Sequence, residues 1–178
     1  INMYGITETT VHVTYRPLTT LDAQVPHSLI GQPIPDLQMY ILDTHLQQVP
    51  IGVPGELFVG GMGVARGYLN RPRLTVERFA PNPFSDVPGA RLYKTGDLVR
   101  YTPDNDIEYL GRIDHQVKIR GYRIELGEIE AILGQHPAIE EVLILVREDK
   151  PGDKRLVAYF VAIQQPPPST HDLHTYLK

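Results

Sequence analysis

A chain of 178 residues fits one large domain or two small ones, and 42% hydrophobic with 21% charged residues is ordinary globular composition that argues against disorder. A net charge of -4 supplies no basic surface for nucleic acid, and the absence of cysteine excludes disulfides, zinc–thiolate sites and thiol nucleophiles. The longest apolar runs, such as VLILV at 142–146, are far too short to span a bilayer, and INMYGITETT carries no basic lead or apolar h-region. Neither membrane, nucleic acid nor signal peptide is therefore expected, and the cytoplasm is the default compartment.

The chain opens directly on a polar motif and closes on LHTYLK, a helix barely begun, so both ends read as cuts through a longer protein. Residues 1–112 are rich in Gly and Pro, with short apolar runs such as LQMYIL (37–42) and ELFVGG (56–61), a pattern of strands separated by turns. LVRYTPDNDIEYLG predicts a hairpin turning at Pro103–Asp106. Val117 and Ile119 alternate with Lys118 and Arg120 as in a half-exposed strand, and Gly121-Tyr122 turns into a second strand, Arg123 to Leu126.

Gly127 to Gln135 predicts a helix, with Glu128 and Glu130 near its positive N-terminus. Ile129, Ile132 and Leu133 form its apolar face, and His136-Pro137 stops it. Strands Val142–Val146 and Leu156–Ile163 follow, joined through the PGD turn at 151–153. Gln164 to Pro168 is a stiff linker, and Ser169 or Thr170 can cap the last helix. The order is a β-rich lobe and then a small β-β-α-β-β lobe, a mixed α/β architecture without internal repeats.

Four segments carry candidate chemistry. In NMYGITE (2–8), Tyr4 offers a flat face for a base, Gly5 permits a tight backbone, Thr7 can donate to a phosphate oxygen, and Glu8 can hold Mg²⁺; a solvated turn accounts for the same residues. GELFVGGMGVARGYLNRP (55–72) invites a phosphate-loop reading. It lacks G-x-x-x-x-G-K-[ST], however, and has Arg66 where G-x-G-x-x-G needs its last glycine, so tight turns between strands fit better. In YKTGDLVRY (93–101), Asp97 follows Thr95-Gly96, where a carboxylate at the end of a tight turn can accept both ribose hydroxyls or simply cap the turn. In GRIDHQVKIRGYRIELGEIE (111–130), Arg112 can bind ribose or phosphate through its planar donor fork, while a plain surface strand fits equally. His115 has no histidine partner at metal-ligand spacing.

These four segments, in this order, resemble the later core motifs of adenylation domains in nonribosomal peptide synthetases, of the adenylate-forming, AMP-binding superfamily. The family patterns are approximately N-x-Y-G-P-T-E, G-E-L-x-x-x-G-x-x-x-A-R-G-Y, Y-x-T-G-D-L and G-R-x-D-x-Q-V-K-I-R-G-x-R-I-E-L-G-E-I-E, and the last is matched over its full length. One departure is Ile6, where proline is usual.

The resemblance implies that residues 1–113 are the β-rich, barrel-like end of a large adenylation lobe and 114–178 the start of its small C-terminal lobe. It implies that Tyr4 stacks on adenine beside Gly5, with Asn2 near the exocyclic amine. Thr7 would contact the α-phosphate and Glu8 would hold Mg²⁺. Asp97 would bind the ribose hydroxyls, Tyr109 would flank the base, and Arg112 would assist at ribose and phosphate. Asp114 would be the hinge between half-reactions, and Gly121 would line the pantetheine tunnel. Met3, Val11 and His12 would line the amino-acid pocket, a trio that resembles threonine-activating pockets.

The implied chemistry joins an amino acid to ATP, giving an aminoacyl-AMP, and passes it to the 4′-phosphopantetheine thiol of a partner carrier domain, with a condensation domain in the same synthetase. The phosphate loop and carboxyl-binding aspartate would lie upstream of Ile1 and the catalytic lysine beyond Lys178, so these residues alone are expected to be inactive. An acyl- or aryl-CoA ligase of the same superfamily is the near alternative, disfavoured by RIELGEIE and by Asp114-x-Gln116. A non-catalytic interaction module is the other, disfavoured by intact Glu8, Asp97 and Arg112.

Overall fold

A computed structural model describes residues 1–24, 27–114, 116–150, 152–163 and 165–177. The expectations that involve His115, Pro151, Gln164 and Lys178 fall outside the described residues. The chain divides into two compact units, Ile1–Asp114 and His115–Lys178. No helix among the described residues is long and apolar enough to cross a membrane.

The first unit contains β1 (Thr14–Tyr15), β2 (Leu29–Pro33), β3 (Leu37–Leu42), β4 (Gly55–Gly61), α1 (Pro72–Arg78), β5 (Phe79–Pro81), β6 (Arg91–Tyr101) and β7 (Ile107–Arg112). Among the described residues its strands make one antiparallel sheet in the order β1-β2-β7-β6-β4-β3, with β5 also paired to β6. Successive side chains of a strand point to opposite faces. Leu37, Met39 and Ile41 of β3 therefore join Leu57, Val59, Val99 and Ile107 in one buried cluster, while Leu42 joins Phe58 and Leu92 on the other face. Covering both faces is what makes the middle of β4, Leu57-Phe58-Val59, a continuous buried apolar run.

The LQMYIL strand lies at its expected bounds, and the 98–111 hairpin is β6–β7, closed by Thr102 N–H donating to the Asp106 carbonyl. β2 and α1 go beyond the sequence expectation. α1 has Pro72 at its first turn but buries no residue, so it offers no apolar stripe to read. The Thr95-Gly96-Asp97 turn is corrected to a bulge inside β6. Phe58 faces Lys94 and Glu56 faces Leu98, so the three residues of that motif oppose Leu57 alone.

The second unit contains β8 (Gln116–Ile119), β9 (Tyr122–Glu125), α2 (Leu126–Leu133), β10 (Ile139–Glu148), β11 (Lys154–Ala162) and α3 (Thr170–Tyr176). β8 and β9 are joined by Arg120-Gly121, both left-handed at φ 52° and 83°, the two-residue geometry that matches strand twist. The turn thus sits one residue earlier than the sequence suggests. Leu126, Leu133, Ile139, Ile144 and Leu173 form the core, with Ile129 and Phe160 packed against it. The buried stripe of α2 is Leu126-Ile129-Leu133 rather than Ile129-Ile132-Leu133; Ile132 is 45% exposed. Ser169 caps α3 through a reciprocal box with Asp172.

Candidate active site

Two bulges set the site. Besides the Thr95–Asp97 bulge, Leu98 faces Gly111 while Val99 faces Tyr109, so β7 carries one extra residue, Leu110. Together they bring Asp97 and Arg112 directly opposite each other on β6 and β7. Asp97 is 4% exposed. Its Oδ1 accepts from Arg112 Nη1 at 2.8 Å, and its Oδ2 accepts from the Tyr4 hydroxyl. The Asp97 N–H donates to Thr95 Oγ1 at 3.0 Å, and that hydroxyl donates to the Leu57 carbonyl at 2.8 Å, which anchors the bulge to β4.

Arg112 forks onto Asp114, Nε to Oδ1 and Nη2 to Oδ2, each at 2.6 Å, and Nη2 also reaches the Thr95 carbonyl at 3.1 Å. These donors hold carboxylates and a carbonyl of its own unit. Burial, followed by the charge of Asp97, pushes the Tyr4 phenol far above its ordinary range, so Tyr4 remains a proton donor to Asp97. Tyr109 is half-buried, and burial followed by Asp97 raises its phenol too. The result is a buried carboxylate bonded to the Tyr4 phenol and the Arg112 guanidinium, with its charge felt at the Tyr109 phenol.

Asn2 is fixed by Nδ2 donating to the Leu29 carbonyl at 2.8 Å. Its backbone pairs with Arg16 in both directions, and Val13 N–H donates to the Tyr4 carbonyl at 2.8 Å, closing residues 2–16 into a tight loop. Gly5 is required there because a Cβ would overlap the Val11 carbonyl oxygen. Ile6 has φ -139°, well outside the range a proline ring permits, so its departure from the family pattern gives the loop a more extended entry.

Thr7 opens a single turn of 3-10 helix and is exposed, whereas Glu8 is buried. Glu8 Oε1 accepts from the Tyr68 hydroxyl at 2.6 Å, and its carbonyl takes the Ala65 N–H at 2.8 Å. Burial, then the bond to Glu8, pushes the Tyr68 phenol well up. Tyr68 is placed by Thr75 of α1, whose Oγ1 accepts the Tyr68 N–H at 3.0 Å, and by edge contact with Phe79. Among the described residues no cluster of three acidic or histidine side chains could hold a metal. Mg²⁺ keeps several waters and takes one or two carboxylates plus substrate phosphates, so the expectation for Glu8 does not depend on such a cluster.

Met3, Val11 and His12 are all exposed, Val11 at 61%. Thr10 and Val11 are consecutively left-handed at φ 63° and 71°, a costly state for a β-branched residue. Val11 N–H donates to the Ile6 carbonyl and Thr10 Oγ1 to the Gly63 carbonyl, which hold the pair there. Asp114 closes the first unit. Gly121 lies in the second unit, on the β8–β9 turn, with open space around its Cα.

Sequence reasoning missed Tyr68, Thr75, Arg78 and Thr95. Arg78 Nη1 and Nη2 both stand 3.4 Å from Asp114 Oδ2. The signal available was Arg71-Pro72, a helix start that would have placed Thr75 and Arg78 on one short element.

The AMP-binding enzyme family model matches residues 1–69. A linear gramicidin synthase polypeptide of Brevibacillus parabrevis is 60% identical over 158 residues, covering 89% of this chain and 3% of its own length. The dimodular nonribosomal peptide synthase of Bacillus subtilis (strain 168) is 60% identical over 166 residues, covering 93% and 7%. An artificially fused adenylation–PCP di-domain from Klebsiella oxytoca superposes with TM-score 0.74 at 36% identity, over 97% of this chain and 32% of that one. A second NRPS protein with adenylation and PCP domains superposes with TM-score 0.78 at 29% identity, over 99% and 40%. The chain thus spans less than a tenth of these synthetases and under half of the solved structures.

Proposed function

From a chain that belongs to the AMP-binding enzymes, as an adenylation-domain segment of nonribosomal peptide synthetase type, we propose that it forms the nucleoside-facing part of a site that activates an amino acid with ATP. The observation that carries the reading is Asp97, a buried carboxylate aimed by a double bulge and held between Tyr4 and Arg112 beside Tyr109. A ribose diol needs an acceptor that is already ionised and oriented, and aromatic rings next to it supply faces for a base.

The amino-acid carboxylate oxygen attacks the α-phosphorus as the bond to pyrophosphate breaks, leaving aminoacyl-AMP. A carrier-domain thiolate then takes the acyl group and AMP departs. Both partners of the first step are anionic, so holding them in line and neutralising charge lowers the barrier. Asp97 and Tyr4 fix the nucleoside, Asn2 and Tyr109 meet the base, and Thr7 donates to the α-phosphate. Glu8 holds Mg²⁺, which supplies charge neutralisation when bound.

Arg112 acts mainly by orienting Asp97, since its donors are engaged with Asp97, Asp114 and Thr95. Met3 and Val11 give an apolar wall and His12 a hydroxyl partner, which favours threonine. Asp114, at the end of the first unit, serves as the pivot between half-reactions, and Gly121 lines the path of the carrier pantetheine. A condensation domain in the same synthetase uses the product. ATP and a free carrier thiol are both cytoplasmic resources, so we assign that compartment.

The test is amino-acid-dependent ATP–pyrophosphate exchange by the full-length parent. Exchange that needs an amino acid is expected, with none from these 178 residues alone. Exchange driven only by an acyl or aryl acid, or no exchange at all, refutes the reading.

A further inference from the structure

Arg78 has no place in the chemistry described above, yet it terminates a continuous chain of charges. Its two terminal nitrogens face Asp114 Oδ2, Asp114 holds Arg112 through two bonds of 2.6 Å, and Arg112 holds Asp97 at 2.8 Å, which takes the Tyr4 hydroxyl. Side-chain exposure is 21% for Arg78 and 24% for Asp114 at the outer end, then drops to 16% for Arg112 and 6% for Asp97. Coulomb coupling grows as water is excluded, so charge at the exposed end is felt at the buried one.

The charge series is packed directly over the bulge. It passes over Gly96, left-handed at φ 76°, where a Cβ would lie 2.5 Å from Asp114 Oδ2 and 2.7 Å from Arg112 Nη2. The Gly96 N–H below is held by Glu56 Oε1 at 3.0 Å, and Glu56 in turn faces Lys94 at 3.6 Å. Arg78 and Arg112 both act on Asp114 and share its Oδ2. Without Arg78, Asp114 draws harder on Arg112 through the bidentate pair, at the expense of the single bond to Asp97.

We propose that Arg78 is a positioning residue: through Asp114 and Arg112 it keeps Asp97 oriented toward a ribose diol and so sets how strongly the site grips nucleotide hydroxyls. The inference rests on the adenylating function proposed above. It also gives α1, which buries none of its residues, a role: its last turn delivers a cation to the bulge from outside the sheet.

The experiment compares ATP with 2′,3′-dideoxy-ATP in pyrophosphate exchange by the full-length parent and its Arg78→Gln and Arg78→Lys variants. Arg78→Gln should raise the ATP KM roughly two- to fivefold, the scale of losing one partly screened ion pair, and leave the dideoxy-ATP KM unchanged. The preference for the hydroxyl-bearing nucleotide should shrink by that factor while the amino-acid KM holds, and Arg78→Lys should restore most of it. Arg78→Met, which keeps the apolar stem, gives the same reading if the glutamine variant folds poorly. A variant that loses kcat or thermal stability but keeps the ATP to dideoxy-ATP ratio overturns the inference, as does a lysine variant no better than glutamine. A wild-type parent without exchange, or without preference for ATP over dideoxy-ATP, instead sinks the functional reading on which the inference stands.

Discussion

Asp97→Asn in the full-length parent probes the site at its centre. The substitution keeps shape but removes the charge that Arg112 Nη1 meets at 2.8 Å, and it turns one acceptor into a donor facing either Arg112 or the Tyr4 hydroxyl. Hydrogen bonds to a charged group contribute about 1.5–3 kcal/mol, so losing them to a ribose diol corresponds to a rise of roughly 10- to 150-fold in the ATP KM. Folding should suffer less than for a typical severed buried pair, which costs about 3–5 kcal/mol, because Arg112 keeps both bonds to Asp114. The assay varies ATP at saturating amino acid, then amino acid at saturating ATP, with thermal unfolding measured in parallel. An ATP KM within twofold of wild type, in a variant that unfolds as wild type does, would refute the ribose role. A collapse of both KM values together with the melting temperature would mean that Asp97 holds the sheet and not the nucleotide.

Gly5→Ala should destabilise the protein by roughly 3 kcal/mol, since the new methyl meets a backbone carbonyl that cannot step aside; chemical denaturation with no shift in midpoint contradicts this. Glu108 is held below the ordinary carboxylate range by its bond to Arg100 at 2.7 Å and then by His27 at 2.6 Å. A depressed carboxylate stabilises the fold above its unfolded-state pKa, and that contribution is lost as pH falls through the folded value. Glu108→Gln should therefore flatten the stability–pH curve on its acid side below about pH 4.5, and an unchanged slope there refutes the assignment. Threonine should exceed valine by a wide margin in pyrophosphate exchange and serine by a smaller one. Val11→Gly should relieve about 1 kcal/mol of left-handed strain while narrowing the threonine–serine margin. A valine preference in the wild type, or a Val11→Gly variant that melts lower, removes the basis for that pocket.

What the residues determined unaided was the local periodicity, the turns and the caps. Strand LQMYIL, the 98–111 hairpin, the α2 region and the Ser169 cap follow from two-residue alternation, turn residues and capping, which act within a few positions of each other. The motif set pointed to the AMP-binding enzymes through its resemblance to the family patterns, and the family model matches residues 1–69. Only the tertiary structure decided which groups share a site. Whether Thr95-Gly96-Asp97 forms a turn or a bulge depends on how many residues β4 supplies opposite it, and β4 supplies Leu57 alone. The pairing of Asp97 with Arg112 needs a second bulge on β7, and Arg78 reaches Asp114 from a helix with no apolar stripe. Register and approach of this kind are set between segments tens of residues apart, where local pattern carries no information.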